Sequence, residues 1–244
     1  MFDERFARLD TEVWTPAYLP AWSSRADAAA TWAVDDEGLH LTIPPEQGLW
    51  CAGDHEPPLR VSGVQSGNRS GPVGSTDGQQ RFREGQTVRE EQPTVLGFTP
   101  RAGMVEVECR AHLGPSAMFS AWLIGLEDAP ERCGEVCLVE VFGDTVAEGR
   151  AAVGSGIKAF RDPALTEDFV AEPRDLDVTT WHRFAAHRQP GRVDFMIDGV
   201  ATRTCRQAPD YPMQLMIAVF DFPDHPAHDP AGTPELVVRR VTGL

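Results

Sequence analysis

The sequence predicts an all-β protein in which two antiparallel sheets pack face to face. Three observations support this prediction: apolar and polar residues alternate with a period of two from Leu39 onward, about a dozen segments show that alternation, and almost none has the period of an amphipathic helix. Strands that are apolar on one face can bury it against a second sheet. Because all-β domains of this length are common, residues 1–244 are assigned to one domain.

The clearest strand is "MVEVECRAHL", where Val105 and Val107 face the opposite way from Glu106. The segment "RVDFMIDGVATRTC" repeats the pattern and turns at Asp198 and Gly199, a dipeptide that accepts the positive φ values of a tight hairpin. In chain order, the other strand candidates are "LHLTI", "RVSGVQSG", "TVLGFT", "MFSAWLIGL", "EVCLVEVFG", "WHRFAAHRQ", "MQLMIAVFDF" and "ELVVRRVTG".

The composition describes an acidic protein with enough apolar residues to fold. The formal charge is -15 and 41% of the residues are hydrophobic, so a disordered chain is not expected. Such a charge makes nucleic acids and anionic membranes poor partners. No stretch approaches the ~20 consecutive apolar residues of a membrane span. The oligomeric state is left open.

Cysteine usage and the first residues bear on the compartment. Five cysteines without a C-x-x-C pair indicate neither a full disulfide framework nor a zinc site, which favours a reducing compartment. The segment "MFDERFARLD" is charged and does not resemble an export signal. We therefore expect a cytoplasmic protein, with secretion after processing of a precursor as the alternative.

Residues 44–93 form a long stretch rich in Gly, Pro, Ser and Gln that is interrupted only by "RVSGVQSG". Stretches of this length in compact domains are usually functional or disordered. Two interpretations stay open, a solvated surface loop and a wall beside a ligand groove. The groups suited to gripping a polar ligand are Trp50, His55, Arg60, Gln65, Asn68, Arg69, Arg81 and Arg83.

Two acids interrupt the apolar segment "CGEVCLVEVFGD". On a helix Glu135 and Glu140 would lie roughly 140° apart, and in a regular strand their odd separation would send them to opposite faces. One extra residue, inserted as a β-bulge near Leu138 and Val139, would bring both acids and Cys137 to one side of the sheet. The pair could then reach the ~5–5.5 Å spacing that glycoside hydrolysis with retention requires. A strand whose solvated face carries two acids is the simpler alternative.

The segment "AMFSAWLIGLEDAPERCGEVCLVEVFGD" resembles the core of glycoside hydrolase family sixteen, the laminarinase, lichenase and κ-carrageenase group. It has an aromatic strand ending in a Trp-x-x-Gly-like turn and then an acidic motif that reads E-x-D-x-x-E in the family. "WHRFAAHRQPGRVDFMIDGVATRT" and "YPMQLMIAVFDFP" are similar to the following strands. The resemblance runs from about Val95 to Pro223 and implies a jelly-roll sandwich like that of concanavalin A-like lectins and glucanases, with a substrate groove across its concave sheet.

Within this resemblance, Glu135 matches the family's nucleophile and Glu140 its general acid/base. An ionised carboxylate would attack the anomeric carbon while a protonated one gives its proton to the departing oxygen. The resemblance therefore implies an endo-acting retaining hydrolase of O-glycosidic bonds in a β-linked, β-glucan-like polysaccharide or oligosaccharide. We expect burial and charge repulsion to raise the pKa of the acid.

Cys137 departs from the family pattern, because it stands where the family has the Asp that orients the nucleophile. A thiol is a weak hydrogen-bond donor and, with an ordinary pKa near ~8.5, is mostly neutral at pH 7. Two other roles were considered for Cys137. It could be a nucleophile itself, although no nearby His in the sequence supplies a base, or it could fill space in the core.

Seven further residues are predicted to bind substrate. Trp122 is the stacking candidate by motif position, although a strand tryptophan is about as often part of the core. Arg188 and Phe220 stand where relatives carry Trp, so we expect a substrate other than plain laminarin or lichenan. The remaining candidates are Trp22, Arg25, His182 and Asp221.

The partner predicted from these residues is a carbohydrate. No cofactor or catalytic metal is expected, and a structural calcium on the convex face is left open. A non-catalytic carbohydrate-binding protein on the same sandwich is the alternative function, favoured by Cys137 and the two missing tryptophans. A structural sandwich used for protein contact would explain neither acid.

Overall fold

The computed structural model describes residues 1–244 and contains sixteen β-strands and two short 3₁₀ turns. The strands are β1 (Phe2–Glu4), β2 (Thr31–Asp35), β3 (Gly38–Thr42), β4 (Arg60–Gln65), β5 (Gly67–Asn68), β6 (Val95–Leu96), β7 (Gly103–His112), β8 (Ala117–Gly125), β9 (Glu135–Phe142), β10 (Ala151–Lys158), β11 (Asp168–Arg174), β12 (His182–Gln189), β13 (Arg192–Ile197), β14 (Val200–Cys205), β15 (Met213–Asp221) and β16 (Glu235–Gly243). The turns are Pro20–Trp22 and Gly143–Thr145. Neither has the length or apolar composition that a bilayer-crossing helix needs.

Two large antiparallel sheets form the body of the protein. The back sheet has the order β14-β13-β12-β7-β16-β3-β2, with β1 pairing beside β16. The groove sheet has the order β11-β10-β9-β8-β15-β4, and β5 pairs separately with β6. This architecture confirms the predicted two-sheet antiparallel sandwich.

The core lies between the two sheets and follows the predicted alternation. In β7, Val105, Val107 and Cys109 are buried while the intervening residues are partly exposed. They belong to a cluster of 38 buried residues drawn from both sheets, in which each fully buried Val or Leu side chain contributes roughly 1.5–3 kcal/mol. The predicted hairpin joins β13 to β14, with φ values of 51° at Asp198 and 78° at Gly199.

The groove sheet is covered on its other face as well, which explains why β8 and β15 are buried at every residue. A second cluster of 17 buried residues lies on that face. The stretch 44–93 supplies Trp50, Leu59 and Val88 to it, so this stretch is largely a packed wall and not a solvated loop. The part of the groove sheet's outer face that stays uncovered, over its inner strands, forms a groove.

Candidate functional site

The groove encloses about 230 Å³ over the centre of the groove sheet. Alternate residues of four strands form its floor, because side chains two apart on a strand share a face. These residues include Ser120 and Trp122 of β8, Glu135 and Glu140 of β9, Lys158 of β10 and Phe220 of β15. The walls come from Tyr18, His55, Leu59, Gln80, Met118 and Phe222.

A β-bulge in β9 brings the two acids together. On β8, Trp122 is opposite Cys137 and Ala121 is opposite Val139, so Leu138 is an extra residue. The register with β10 slips at the same place. Leu138 and Val139 both belong to the core cluster although they are consecutive, and the phase of the strand changes between them. This finding confirms the bulge predicted near these two residues.

Lys158 lies between the two acids. Its Nζ is 3.3 Å from Oε1 of Glu135 and 2.8 Å from Oε2 of Glu140. Because the two contacts share one nitrogen, these two oxygens are no farther apart than the sum of the two distances. Nζ also lies 4.6 Å from the ring centre of Phe169, which holds the ammonium from the other side.

Gly154 makes room for this arrangement. A Cβ at that position would lie 2.5 Å from Cζ of Phe169 and 3.3 Å from Cβ of Glu140. A side chain there would displace the ring that contacts Lys158 or the carboxylate that pairs with it. Glycine is therefore required on β10 by close packing.

The pKa of Glu135 is raised to about 7, and burial is the main cause. The ammonium of Lys158 lowers it and the charge of Glu140 raises it. Burial acts strongly on this candidate nucleophile because its side chain is only 6% exposed, against 15% for the Glu140 side chain.

Lys158 itself stays charged. Burial alone would lower its pKa, but Glu135 and its other acidic neighbours outweigh burial and raise the pKa above the ordinary value. One cation is thus shared by two carboxylates. Two carboxylates stabilise the charge of Lys158, whereas Glu135 has only a share of one ammonium. The effect of burial on the pKa of Glu135 is therefore only partly offset.

Cys137 is fully buried on the floor between the acids. Burial raises its pKa well above the usual value, so it is a neutral thiol. Its Sγ lies 3.9 Å from Oγ of Ser120, which donates to the carbonyl of Val139 at 2.8 Å. These surroundings fit a space-filling thiol and oppose the nucleophile alternative, which needs a thiolate.

An aromatic group borders the acids. The ring of Tyr18 lies 6.4 Å from that of Trp122 and 5.5 Å from that of Phe220, measured between centroids. Trp122 is only 4% exposed, and its indole N–H is buried without an acceptor. Burial, followed by the charge of Glu135, raises the pKa of Tyr18, so its hydroxyl stays protonated.

Two of the predicted binding residues belong to the wrong sheet. His182 and Arg188 are on β12 of the back sheet, across the core from the groove. The Nδ1 of His182 contacts Asp198 at 2.7 Å, while Arg188 is buried and donates to the carbonyl of Pro100 at 2.6 Å. Their assignment to the groove was therefore wrong, because strand order along the chain does not reveal which sheet a strand joins.

Trp22 and Arg25 also lie outside the groove. Trp22 is fully buried in the second cluster and donates to the carbonyl of Gln79 at 2.7 Å. Arg25 donates to Oε1 of Gln92 at 3.0 Å. Both residues fix the N-terminal segment and the stretch 44–93 to each other. Their predicted contact with substrate was wrong, since neither side chain reaches the floor of the groove.

Asp221 follows Phe220 on β15 and therefore points to the other face of the sheet. Its Oδ2 accepts from Arg60 at 2.9 Å and 2.5 Å, and its Oδ1 accepts from Ser116 at 2.8 Å. This buried ion pair is a structural feature, so the prediction that Asp221 binds substrate was wrong. Among the predicted residues, the structure brings together Glu135, Cys137, Glu140, Trp122 and Phe220.

Sequence reasoning missed Lys158 and Tyr18. One signal was available for Lys158, because it is the only lysine in a chain with 21 arginines. A lysine presents a compact point charge that fits between two carboxylates better than the planar fork of an arginine. For Tyr18 the sequence offers no comparable signal, since it lies far from the acids along the chain.

Comparison with known proteins agrees with the fold. No protein-family model and no curated protein sequence matches the chain. Among solved structures, a GlcNAcα1-4Gal-releasing endo-β-galactosidase from Clostridium perfringens is similar with a TM-score of 0.81 and 21% identity, over 99% of this chain and 61% of that one. The chain thus spans less than two thirds of that protein.

Two further solved structures match over nearly their whole length. A laminarinase from Flavobacterium sp. UMI-01 has a TM-score of 0.67 and 14% identity, over 99% of this chain and 97% of that one. A Bacteroides ovatus mixed-linkage glucan family-sixteen protein, solved with a G4G4G3G product, has a TM-score of 0.64 and 12% identity, over 100% and 99%. At these identities the likenesses establish a shared glucanase-type jelly-roll fold.

Proposed function

We propose that this protein is a retaining glycoside hydrolase of family-sixteen type, in which Glu135 is the nucleophile and Glu140 the general acid/base. The observation that carries the proposal is the bulge at Leu138, which turns two acids separated by an odd number of residues onto one face of a groove. In a regular strand without a bulge, two side chains share a face only when an even number of residues separates their positions. The bulge has no evident role in a purely structural sandwich.

The distance between the acids supports the retaining route. Both carboxylates contact the same ammonium nitrogen, at 3.3 Å and 2.8 Å. The two contacting oxygens are therefore no farther apart than the sum of these distances, which is compatible with the ~5–5.5 Å between the carboxyl groups of a retaining pair. This compatibility supports direct attack by a carboxylate.

The reaction would proceed in two displacements. In the first, a carboxylate oxygen of Glu135 bonds to the anomeric carbon, the glycosidic C–O bond breaks, and the leaving oxygen takes a proton from Glu140. In the second, Glu140 removes a proton from water, the water oxygen bonds to the anomeric carbon, and Glu135 leaves as a carboxylate. The anomeric configuration is inverted twice and therefore retained.

Lys158 would assist the nucleophile. Glu135 must be ionised to attack, and burial opposes that ionisation. When Glu140 carries the proton needed for the first step it no longer competes for the ammonium, so the charge of Lys158 acts on Glu135 alone. We assign Lys158 as a positioning residue that supplies the hydrogen bond which the neutral Cys137 cannot supply strongly.

The substrate we propose is a β-linked polysaccharide or oligosaccharide. Structurally similar proteins are described as a laminarinase, a mixed-linkage glucan protein and an endo-β-galactosidase. Aromatic rings of Tyr18, Trp122 and Phe220 surround the acids here and suit the apolar faces of sugars. Both gluco- and galacto-configured chains therefore belong in a substrate screen.

A carbohydrate-binding protein without turnover is the second candidate. It is favoured by the double ion pair of Lys158, which opposes protonation of either acid, and by Cys137 in place of an orienting Asp. Under this alternative, oligosaccharide would bind and no reducing ends would appear.

The deciding experiment measures reducing-end release from β-1,3-glucan, mixed-linkage glucan and β-galactan. Wild type should release reducing ends from at least one polymer, and Glu135→Gln and Glu140→Gln should each lower the rate by at least ~1,000-fold. Glu106→Gln on the back sheet is the matched control and should match wild type. Binding by wild type and both variants without turnover of any polymer would support the second candidate.

A further inference from the structure

A second cavity of about 230 Å³ adjoins the groove, and we call it the side pocket. It shares Tyr18, His55 and Gln80 with the groove. Its own walls are made by Trp50, Arg81, Phe82, Glu127, Phe160 and Arg161, among others. The three shared residues lie where the two cavities adjoin, so the side pocket neighbours the groove that holds the two acids.

The arginines near the side pocket differ in whether they have a counter-ion. Five arginines lie between residues 44 and 93. Four of them contact a carboxylate: Arg60 with Asp221, Arg69 with Asp77, and Arg83 and Arg89 with Asp54. Arg81 has no ion pair and donates no hydrogen bond to another residue, although it is half-buried.

The acids around Arg81 are already paired with other arginines. The carboxylate of Glu127 accepts from Arg161 through Oε2 and from the backbone N–H of Gln80 through Oε1 at 2.5 Å. Asp77 pairs with Arg69 at 2.8 Å, and Asp128 pairs with Arg132 at 2.9 Å. The guanidinium of Arg81 thus makes no ion pair of its own, although it is near enough to Glu127 for its charge to act on that carboxylate.

The side pocket also carries an aromatic platform. The ring of Phe82 lies 5.1 Å from that of Trp50 and 5.0 Å from that of His55. At the rim, Phe160 leaves 57% of its surface exposed, so its ring is accessible to a ligand. An open ring beside a free guanidinium suits a sugar that has both an apolar face and a negative charge.

We propose that the side pocket binds a sugar residue bearing an anionic substituent, a carboxylate or a sulfate ester, through the guanidinium of Arg81. The planar fork of arginine donates two parallel hydrogen bonds to such oxygens. The proposal rests on the proposed function to the extent that the groove holds a carbohydrate. It identifies the substrate class as an acidic β-linked polysaccharide in preference to a neutral one.

The test measures binding without turnover, so it is independent of catalysis. Glu135→Gln protein is titrated calorimetrically with a β-linked glucan hexasaccharide, with its C6-oxidised form, which carries carboxylates, and with its sulfated form. At least one charged form should bind about tenfold or more tightly than the neutral form. A preference for one of the two identifies the anionic group.

Variants then locate the effect. Arg81→Ala in the Glu135→Gln background should remove that preference, and Arg81→Lys should keep part of it because the charge stays while the fork is lost. Arg83→Ala is the matched control, since Arg83 lies in the same segment and already pairs with Asp54. An unchanged melting temperature shows that the Arg81→Ala protein is folded. If its melting temperature falls, the comparison is made with Arg81→Lys.

Two results would overturn the proposal: equal binding of neutral and charged forms, or equal loss in Arg81→Ala and Arg83→Ala. Neither depends on hydrolysis. Turnover of neutral glucan with no role for Arg81 would leave the proposed function standing and the side-pocket proposal refuted. Arg81-dependent binding of acidic oligosaccharide by a protein that hydrolyses no polymer would support the side-pocket proposal and refute the proposed hydrolase function.

Discussion

Replacing Lys158 by Met should raise the pKa of Glu135 and move the acidic limb of the rate profile to higher pH. In wild type the pKa of Glu135 is about 7, and the ammonium lowers it from a distance of 3.3 Å. At that distance Coulomb's law with an effective dielectric constant of ~20 gives about 5 kcal/mol as an upper value. Measured effects of an opposite charge at this range are about one to three pH units.

The sign of the effect follows from the role of Glu135. The attacking carboxylate must be ionised, so a higher pKa leaves less of it active at pH 7 and the loss is recovered at higher pH. Because about half of Glu135 is ionised at pH 7 in wild type, a limb displaced by one to three pH units lowers the rate at pH 7 by roughly 5- to 500-fold. Lys158→Arg keeps the charge and should displace the limb less.

The carboxyl can be titrated directly by NMR of protein labelled with ¹³C at the side-chain carboxyls of glutamate. The Glu135 signal is assigned as the one missing from Glu135→Gln. In wild-type protein, ¹⁵N-labelled lysine provides a second measurement, because the chain has only one lysine side chain and its Nζ contacts this carboxylate. An unchanged Glu135 titration in Lys158→Met would refute the electrostatic argument.

Other predictions concern stability, the bulge and the floor. Because burial raises the folded-state pKa of Glu135 to about 7 from an ordinary value of 4.5, its destabilising effect is absent at pH 4 and develops as pH rises through that window. Glu135→Gln should therefore raise the free energy of unfolding at pH 8 by an amount on the order of 3 kcal/mol but not at pH 4, and its melting temperature should rise only at pH 8. A lower melting temperature at pH 8 would contradict this. Deleting Leu138 shortens the separation of the two acids from five residues to four, so a regular strand would keep both on the groove face and turnover should persist; loss of turnover in a deletion variant that still folds would contradict this. Cys137→Asp should move the rate profile to higher pH because a carboxylate there repels the charge of Glu135, whereas Cys137→Ser should leave it in place; coincident profiles for the two variants would exclude this effect. Dialysis against EDTA should leave the rate unchanged, since both displacements are assigned to carboxylates, and a rate restored by added divalent cation would contradict that assignment.

The fold and the central acids could be predicted because their signals are local. Alternation along β7 and the Asp198–Gly199 hairpin depend on residues close in sequence. The bulge was predictable for the same reason. Only an inserted residue makes an odd spacing between Glu135 and Glu140 compatible with a shared face.

The positions that could not be predicted from the sequence are those that depend on which strands become neighbours. Lys158 meets Glu135 only because β10 pairs with β9 in antiparallel register. His182 and Arg188 were misplaced because β12 joins the back sheet, next to β7, and a chain-order argument carries no information on that choice. The raised pKa of Glu135 depends on burial by Tyr18 and the second cluster, which assemble from distant segments.

The proposed function depends on a covalent bond between Glu135 and the sugar. The most direct measurement is trapping with 2-deoxy-2-fluoro glycosyl fluorides of gluco and galacto configuration, followed by intact mass and peptide mapping. One added fluorosugar per chain is expected, attached to Glu135, and none is expected on Glu135→Gln. Attachment to Glu140, or turnover of substrate that inverts the anomeric centre, would contradict it.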